Sequence, residues 1–286
     1  MKDSDLIDIL EDIAPTEWFE DEDNSGIQVH DGKEDIKRVL VCLEVNDDVI
    51  TEAASKKVDM IITHHPLLFH PLSKVEPGNP VGRYVIRVIQ EGIDIYSSHL
   101  AFDTAVNGNN MYLADLLKLQ DVARPDEDDD EELEDEYTIT LLSDEEDDEE
   151  GFEYDVDEVG SIGYLPKAMN FREFQLYVER ALDLPLHYVR CVDGGKEEIR
   201  KVAFCTGAGG DFIYTAVREG CDAYITGDLK LHEAQYAKAV GLTVIDAGHY
   251  GTEKIFTPNM AAQIRAQAGR SLEVLEAESN TNPYTL

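Results

Sequence analysis

VDMIITHHP, residues 58–66, decides the fold class. A short apolar run without polar alternation is the pattern of a strand buried on both faces, and such strands belong to parallel sheets. Pro66 ends the run, because it removes a backbone donor and holds His65 extended. Upstream, RVLVCLEV at 38–45 reads as another buried strand, with a helical pattern over 47–56 in between. Downstream, a helical pattern over 81–90 leads to a third strand, IDIYSS at 93–98. Strands alternating with helices mean βαβ units and a mostly parallel sheet.

The same order returns in the second half. KVAFCT at 201–206, DAYIT at 222–226 and TVIDA at 243–247 read as strands; 212–218, 232–239 and a final segment from about Glu253 to Ala268 read as helices. Val39 falls on Val202, and Ile62-Thr63 on Ile225-Thr226, at an offset of 163. The third strands align at an offset of 150, which sets His99 on His249 and Asp103 on Glu253. The expected fold is therefore α/β, with two similar α/β lobes of mostly parallel sheet related by internal duplication. The lobes are expected at 1–123 and 159–286, with residues 124–158 as an acidic insertion that cannot bury apolar area and is expected to be solvated or partly disordered, apart from an alternating YTITLL at 137–142 that suggests a hairpin arm. A short strand at 161–165, a helix at 171–182 and an N-terminal amphipathic helix ended by Pro15 complete the expectation.

Charge narrows the function classes. The chain has 61 acidic and 24 basic residues, a net charge of -37. Residues 124–158 hold 21 of the acids and one base, so the insertion is a local run laid over a surface that is acidic elsewhere too. Nucleic acid and anionic membranes are excluded as expected partners, since both are bound by Lys and Arg that are absent here as a stripe. The acidity suits solubility in concentrated salt, where charges are screened within roughly 3 Å at about 1 M; a mid-chain acidic interaction segment is the alternative. Four scattered cysteines without a CxxC pair read as free core thiols of a reducing compartment. No signal-peptide core and no apolar run of membrane-spanning length is present, so the expected location is cytoplasmic.

Chemistry concentrates at strand ends. His64-His65 follows the second strand, His99-x3-Asp103 the third, and His249-x3-Glu253 the last. In α/β folds the carboxyl ends of parallel strands are where ligands bind. Four of the chain's eight histidines sit at these ends. His64, His65, Asp103, His249 and Glu253 are the expected ligands of two divalent metal ions (Zn, Mn, Fe, Co or Ni), to which such N and O donors are suited. With Glu253 shared, each ion has about three protein ligands, the open number of a catalytic rather than a structural site. Two ions bring four positive charges against two carboxylates, which leaves room for hydroxide or a substrate oxyanion; bound water would then ionise near pH 7 instead of about 15.7. His99, Lys230 and His232 are expected as lining or substrate contacts. Gly207-x-Gly209-Gly210 is read as a tight turn, with a phosphate cradle as the alternative. Asp23-Asn24-Ser25-Gly26 is turn chemistry first and a site wall second. His30, His70 and His187 carry no expectation.

DNSGIQV at 23–29, DMIITHHPLLF at 59–69, IYSSHLAFD at 95–103, AYITGDLKLHEA at 223–234 and VIDAGHYGTE at 244–253 together resemble the NIF-three-like family, whose bacterial members are called GTP cyclohydrolase 1 type 2 homologs. The resemblance spans the chain except the acidic insertion. It implies two similar lobes, a hexameric ring of dimers, and a dinuclear centre in which His65, Asp103 and Glu253 hold one ion and His64, His249 and Glu253 the other. Glu44 departs from the aspartate usual at its position. A metal-dependent hydrolase acting on a small anionic or nucleotide substrate is the first functional expectation. Metal binding or delivery without catalysis, and a scaffold acting through protein contacts, are the alternatives.

Overall fold

The structure, a computed structural model, describes residues 1–19, 23–124 and 160–284. The acidic insertion beyond Arg124, with its suggested hairpin arm at 137–142, lies outside the described residues. In chain order the elements are α1 (Asp3–Ile13), β1 (Gly26–Val29), β2 (Arg38–Cys42), α2 (Asp47–Lys56), β3 (Met60–Thr63), α3 (Pro80–Glu91), β4 (Asp94–Ser97), α4 (Leu100–Thr104), α5 (Asn109–Leu116) and β5 (Gln120–Ala123). There follow β6 (Ser161–Met169), α6 (Phe171–Ala181), β7 (Arg190–Val192), β8 (Ile199–Phe204), α7 (Ile213–Arg218), β9 (Ala223–Thr226), α8 (Leu231–Val240), β10 (Thr243–Asp246), α9 (His249–Glu253), α10 (Phe256–Ala268) and β11 (Glu273–Glu276).

Local chemistry sets the helix limits. Asn46 and Asn79 accept the Val49 and Gly82 amides and so start α2 and α3, and Asn170 forms a reciprocal box with Glu173 at the start of α6. Gly92 and Gly241 end α3 and α8 in the left-handed conformation.

The strands form two sheets, ordered β1-β4-β3-β2-β11 and β5-β6-β8-β9-β10-β7. In the first, β11, β2, β3 and β4 run parallel and β1 closes the edge antiparallel. In the second, β8, β9 and β10 are the parallel centre, and β5, β6 and β7 add antiparallel pairs. The second sheet is thus mixed rather than mostly parallel. Its antiparallel strands sit outside the central βαβ units, where no crossover helix fixes direction.

One four-strand unit occurs twice. Val39 pairs with Met60 in the first sheet and Val202 with Ala223 in the second, the same register displaced by 163 residues. Asp59 accepts the Lys37 and Arg38 amides at 2.8 and 3.0 Å, and Asp222 accepts the Arg200 and Lys201 amides, both at 2.9 Å. The third strands correct the sequence alignment. Thr63 pairs with Ser97 and Thr226 with Asp246, so the offset there is 149, not 150. His99 consequently matches Gly248; each stands immediately before a one-turn helix. The recurrence of His-x3-acid at both strand ends is a coincidence of spacing.

Sheet membership also departs from a split of the chain into halves. β5 joins the second sheet, while β11 returns to pair with β2. α10 packs in one core cluster with α1, where Phe256, Met260 and Ile264 meet Leu6 and Leu10. The final helix is broken: α9 ends at Glu253, and α10 begins at Phe256. No helix among the described residues is long and apolar enough to cross a membrane. Cys42, Cys205 and Cys221 are buried free thiols, as expected; Cys191 is free but exposed on the edge strand β7.

Candidate metal centre

The carboxyl ends of the two parallel centres meet. β3 delivers His64 and His65, α4 after β4 delivers Asp103, and α9 after β10 delivers His249 and Glu253. Gly248 turns the chain at φ 74°, and His249 and Glu253, four residues apart on a single helical turn, then share a face. Thr252 ties α9 to the opposite loop by accepting the Gly207 amide at 2.9 Å.

Glu253 is buried at the centre. Its Oε2 lies 2.9 Å from both His65 Nε2 and His249 Nε2, and its Oε1 lies 3.7 Å from His64 Nε2. The two Nε2 atoms of His65 and His249 are 3.3 Å apart. Asp103 Oδ2 lies 3.6 Å from His64 Nε2, while its Oδ1 is anchored by Asn109 at 2.8 Å and Thr206 at 3.3 Å. All five ligands expected from sequence therefore converge.

Tautomers show what the convergence is for. His64 Nδ1 lies 2.9 Å from the Ser98 carbonyl, which only accepts, so Nδ1 carries the proton. His249 Nδ1 is fixed the same way by Asp228 at 3.0 Å, and His99 Nδ1 by Asp23 at 3.0 Å. In neutral imidazoles every opposite nitrogen then aims a lone pair inward. The lone pairs of His64 and His249 face carboxylate oxygens, a repulsive arrangement unless a cation lies between. His64 Nε2 and Glu253 Oε2 are buried and make no aligned hydrogen bond. Ligand atoms bound at about 2.0–2.1 Å in tetrahedral geometry lie about 3.3 Å apart, close to the spacing seen. Two such groups, His64–Asp103–Glu253 and His65–His249–Glu253, could each hold a metal ion. The family resemblance implied the opposite assignment of His64 and His65. The Ser98 hydrogen bond explains the difference, because it turns the His64 ring toward Asp103.

Without metal, protons must fill this role. Burial disfavours a charged His64, but Asp103 and Glu253 outweigh it and lift its pKa to about 9. His249, likewise disfavoured by burial, is raised to about 9 by Glu253 and Asp228. Burial opposes ionisation of Glu253 too, yet His64, His249 and His65 hold its pKa well below the usual carboxylate range. Burial raises that of Asp103, with His64 opposing. Two histidines with pKa about 9 folded against 6.5 ordinarily bind protons more tightly in the folded chain. Metal-free protein should thus hold their full stabilisation below about pH 6.5 and lose it as pH rises toward 9. Metal binding has the opposite sense, since the ions displace those protons. Zinc titration at pH 7 is expected to release protons, seen by calorimetry as a heat that scales with buffer ionisation enthalpy. Binding without proton release would contradict the assignment.

His99 stands at the mouth, its ring centroid 5.1 Å from His64 and 5.6 Å from His65, with Phe69 beside it. Lys230 and His232 point elsewhere: both are exposed and lie 3.6 and 3.8 Å from the buried Glu233 at the start of α8. Gly207 is a close approach rather than a phosphate cradle, because a Cβ there would stand 2.2 Å from Glu253 Oε1. Asp228 was missed by reasoning on Lys230 and His232 in the same loop. The signal was available: Asp228 falls on His65 at the offset of 163. Asp228→Asn leaves a side chain that presents either an amide donor or a weaker acceptor to His249. It is expected to reduce metal affinity about 10–100-fold with little change in melting temperature, as measured by chelator competition.

Residues 1–283 match the Duf34/NIF3 (NGG1p interacting factor 3) family. The chain belongs to that family. Among Duf34/NIF3 relatives, proteins of Clostridium acetobutylicum and Streptococcus pneumoniae, each called GTP cyclohydrolase 1 type 2 homolog, are both 30% identical; they align over 99% and 98% of this chain and 98% of their own length. The fold is that of a Bacillus cereus protein related to NIF3 (TM-score 0.81, 20% identity) and of Staphylococcus aureus protein SA1388 (TM-score 0.82, 24% identity), each alignment covering 100% of this chain and 99% of the other.

Proposed function

We propose that this Duf34/NIF3 protein is a dinuclear metal-dependent hydrolase for a small anionic substrate. His64, Asp103 and Glu253 hold one divalent ion; His65, His249 and Glu253 hold the other. The supporting observation is Glu253, whose Oε1 faces His64 at 3.7 Å while its Oε2 lies 2.9 Å from His65 and His249 without an aligned hydrogen bond. The ions, when bound, supply Lewis acidity and lower the pKa of water to about 7. The protein's own groups do the rest. The Asp23 carboxylate fixes the His99 proton on Nδ1, so Nε2 is the atom that takes or gives a proton at substrate. Partly exposed His65 and His249 mark the open side, while His64, Asp103 and Glu253 are shielded from water. Two carboxylates among the ligands leave a positive residue that attracts an anion.

GTP is the first substrate to try, given the relatives' name, followed by other nucleotides and phosphoesters. With Mn, Zn or Fe fully loaded and salt high enough to screen the net charge of -37, turnover of at least one of them is expected, and it should fall at least about 100-fold in His99→Ala with both ions retained. Two tightly held ions with no turnover of any of these would instead favour metal binding without catalysis.

A further inference from the structure

A second cluster lies at the opposite edge of the first sheet. Asp94, at the amino end of β4, is fully buried. Its Oδ1 accepts the Asp31 amide at 2.8 Å, but its Oδ2 has no hydrogen-bond partner. That oxygen lies 3.4 Å from Nδ1 of His30, whose side chain is partly exposed. Asp3, first residue of α1, offers a carboxylate oxygen to the same place, and its Oδ1 is buried and without a hydrogen-bond partner. One ligand atom from each of the three lies within 4.8 Å of the others.

Two carboxylates are thus gathered with two buried oxygens that accept no hydrogen bond, faced only by the His30 imidazole at 3.4 Å from one of them, which costs free energy unless a cation joins them. The neighbouring cations are engaged elsewhere. Lys2 pairs with Glu34 and Asp35 at 3.6 and 3.3 Å, and Lys33 donates to the Gly92 carbonyl and lies 3.5 Å from Asp31. The two carboxylate segments are fixed independently of these side chains: the Asp3 amide donates to Glu34 O and the Asp94 amide to Asp59 O, both at 3.0 Å. The carboxylates are therefore placed in advance rather than swept together by loop motion.

We propose that Asp3, His30 and Asp94 form a separate mononuclear site for a first-row divalent metal ion such as Zn or Mn. An imidazole nitrogen among carboxylates suits these ions and not calcium, which takes 6–8 oxygen ligands. Two carboxylates and a neutral imidazole cancel the charge of one divalent ion, unlike the residual positive charge at the dinuclear centre. The site is thus a clamp: it ties α1, whose Leu6 and Leu10 pack against α10, to the loop after β1 and to β4.

The test is anomalous diffraction and ion counting on the full-length protein equilibrated with micromolar zinc or manganese. A peak between Asp3, His30 and Asp94 is expected, lost in Asp94→Asn while the peaks at Glu253 stay. His30→Ala, a partly exposed position that should not disturb folding, is expected to weaken this one ion at least about tenfold. Zinc should still raise the melting temperature of Glu253→Gln, and should no longer do so when Asp94→Asn is added. No peak at this edge in crystals whose Glu253 centre is filled, a peak only at millimolar metal, or equal ion counts in wild type and Asp94→Asn would overturn the proposal.

Discussion

Glu253→Gln is expected to release both ions of the dinuclear centre together, with affinity falling on the order of 100-fold or more for each, about 2.8 kcal/mol at the least. The residue is the single carboxylate common to both ligand groups. Glutamine keeps the shape but removes the charge, so Asp103 alone would face four positive charges. Its amide also sets a donor against nitrogens that are already 2.9 Å away. The metal-free variant should stay folded, since the packing around Glu253 is unchanged in volume. Its stability should depend less on pH between 6.5 and 9, because the one anion that raises both His64 and His249 is gone, leaving Asp103 and Asp228 to act on one each. Chelator competition and denaturant melts across that range measure both effects. A glutamine variant that retains two ions at wild-type affinity would remove Glu253 from the centre.

Gly207→Ala is expected to separate metal binding from stability. Gly207 adopts φ 71°, where a Cβ costs roughly 1–2 kcal/mol. That Cβ would also stand 2.2 Å from Glu253 Oε1 and 3.3 Å from its Cδ. Carboxylate tips usually move aside cheaply, but this one is buried with His64, His65 and His249 around it. Displacing it by the distance required breaks the shared ligation. The fold should lose no more than about 1–2 kcal/mol, while binding of both ions falls at least about tenfold. Equal metal affinity in wild type and Gly207→Ala, measured by competition with a colorimetric chelator, would show that the loop does not set the Glu253 position.

Much of this centre is legible in the sequence because strand ends are. Apolar runs at 58–63 and 243–247 mark buried strands, and the first polar residues after them must emerge at the carboxyl edge. The offset of 163 between the first two strands of each unit is likewise visible, since β2–β3 and β8–β9 pair in the same register. The third strand misleads by one residue. His99 and His249 look equivalent by spacing, but His99 takes the place of Gly248, and histidine and glycine share no pattern by which to be matched. The short strands β1, β7 and β11 escape notice because three or four residues, at most one of them buried, carry no periodicity. The part that two carboxylates play in positioning imidazoles escapes for another reason. Asp23 and Asp228 lie in loops, where aspartate is common as a turn residue, and only three dimensions reveal the imidazole each one holds. The break between α9 and α10 has no proline or glycine at Lys254-Ile255 to announce it.

Crystals soaked in zinc or manganese, with data collected on both sides of the metal absorption edge, bear most directly on the dinuclear reading. Two anomalous peaks on either side of the Glu253 carboxylate are predicted, one against His64 and Asp103, the other against His65 and His249. Crystals that take up metal elsewhere but leave Glu253 paired with protonated imidazoles alone would contradict it.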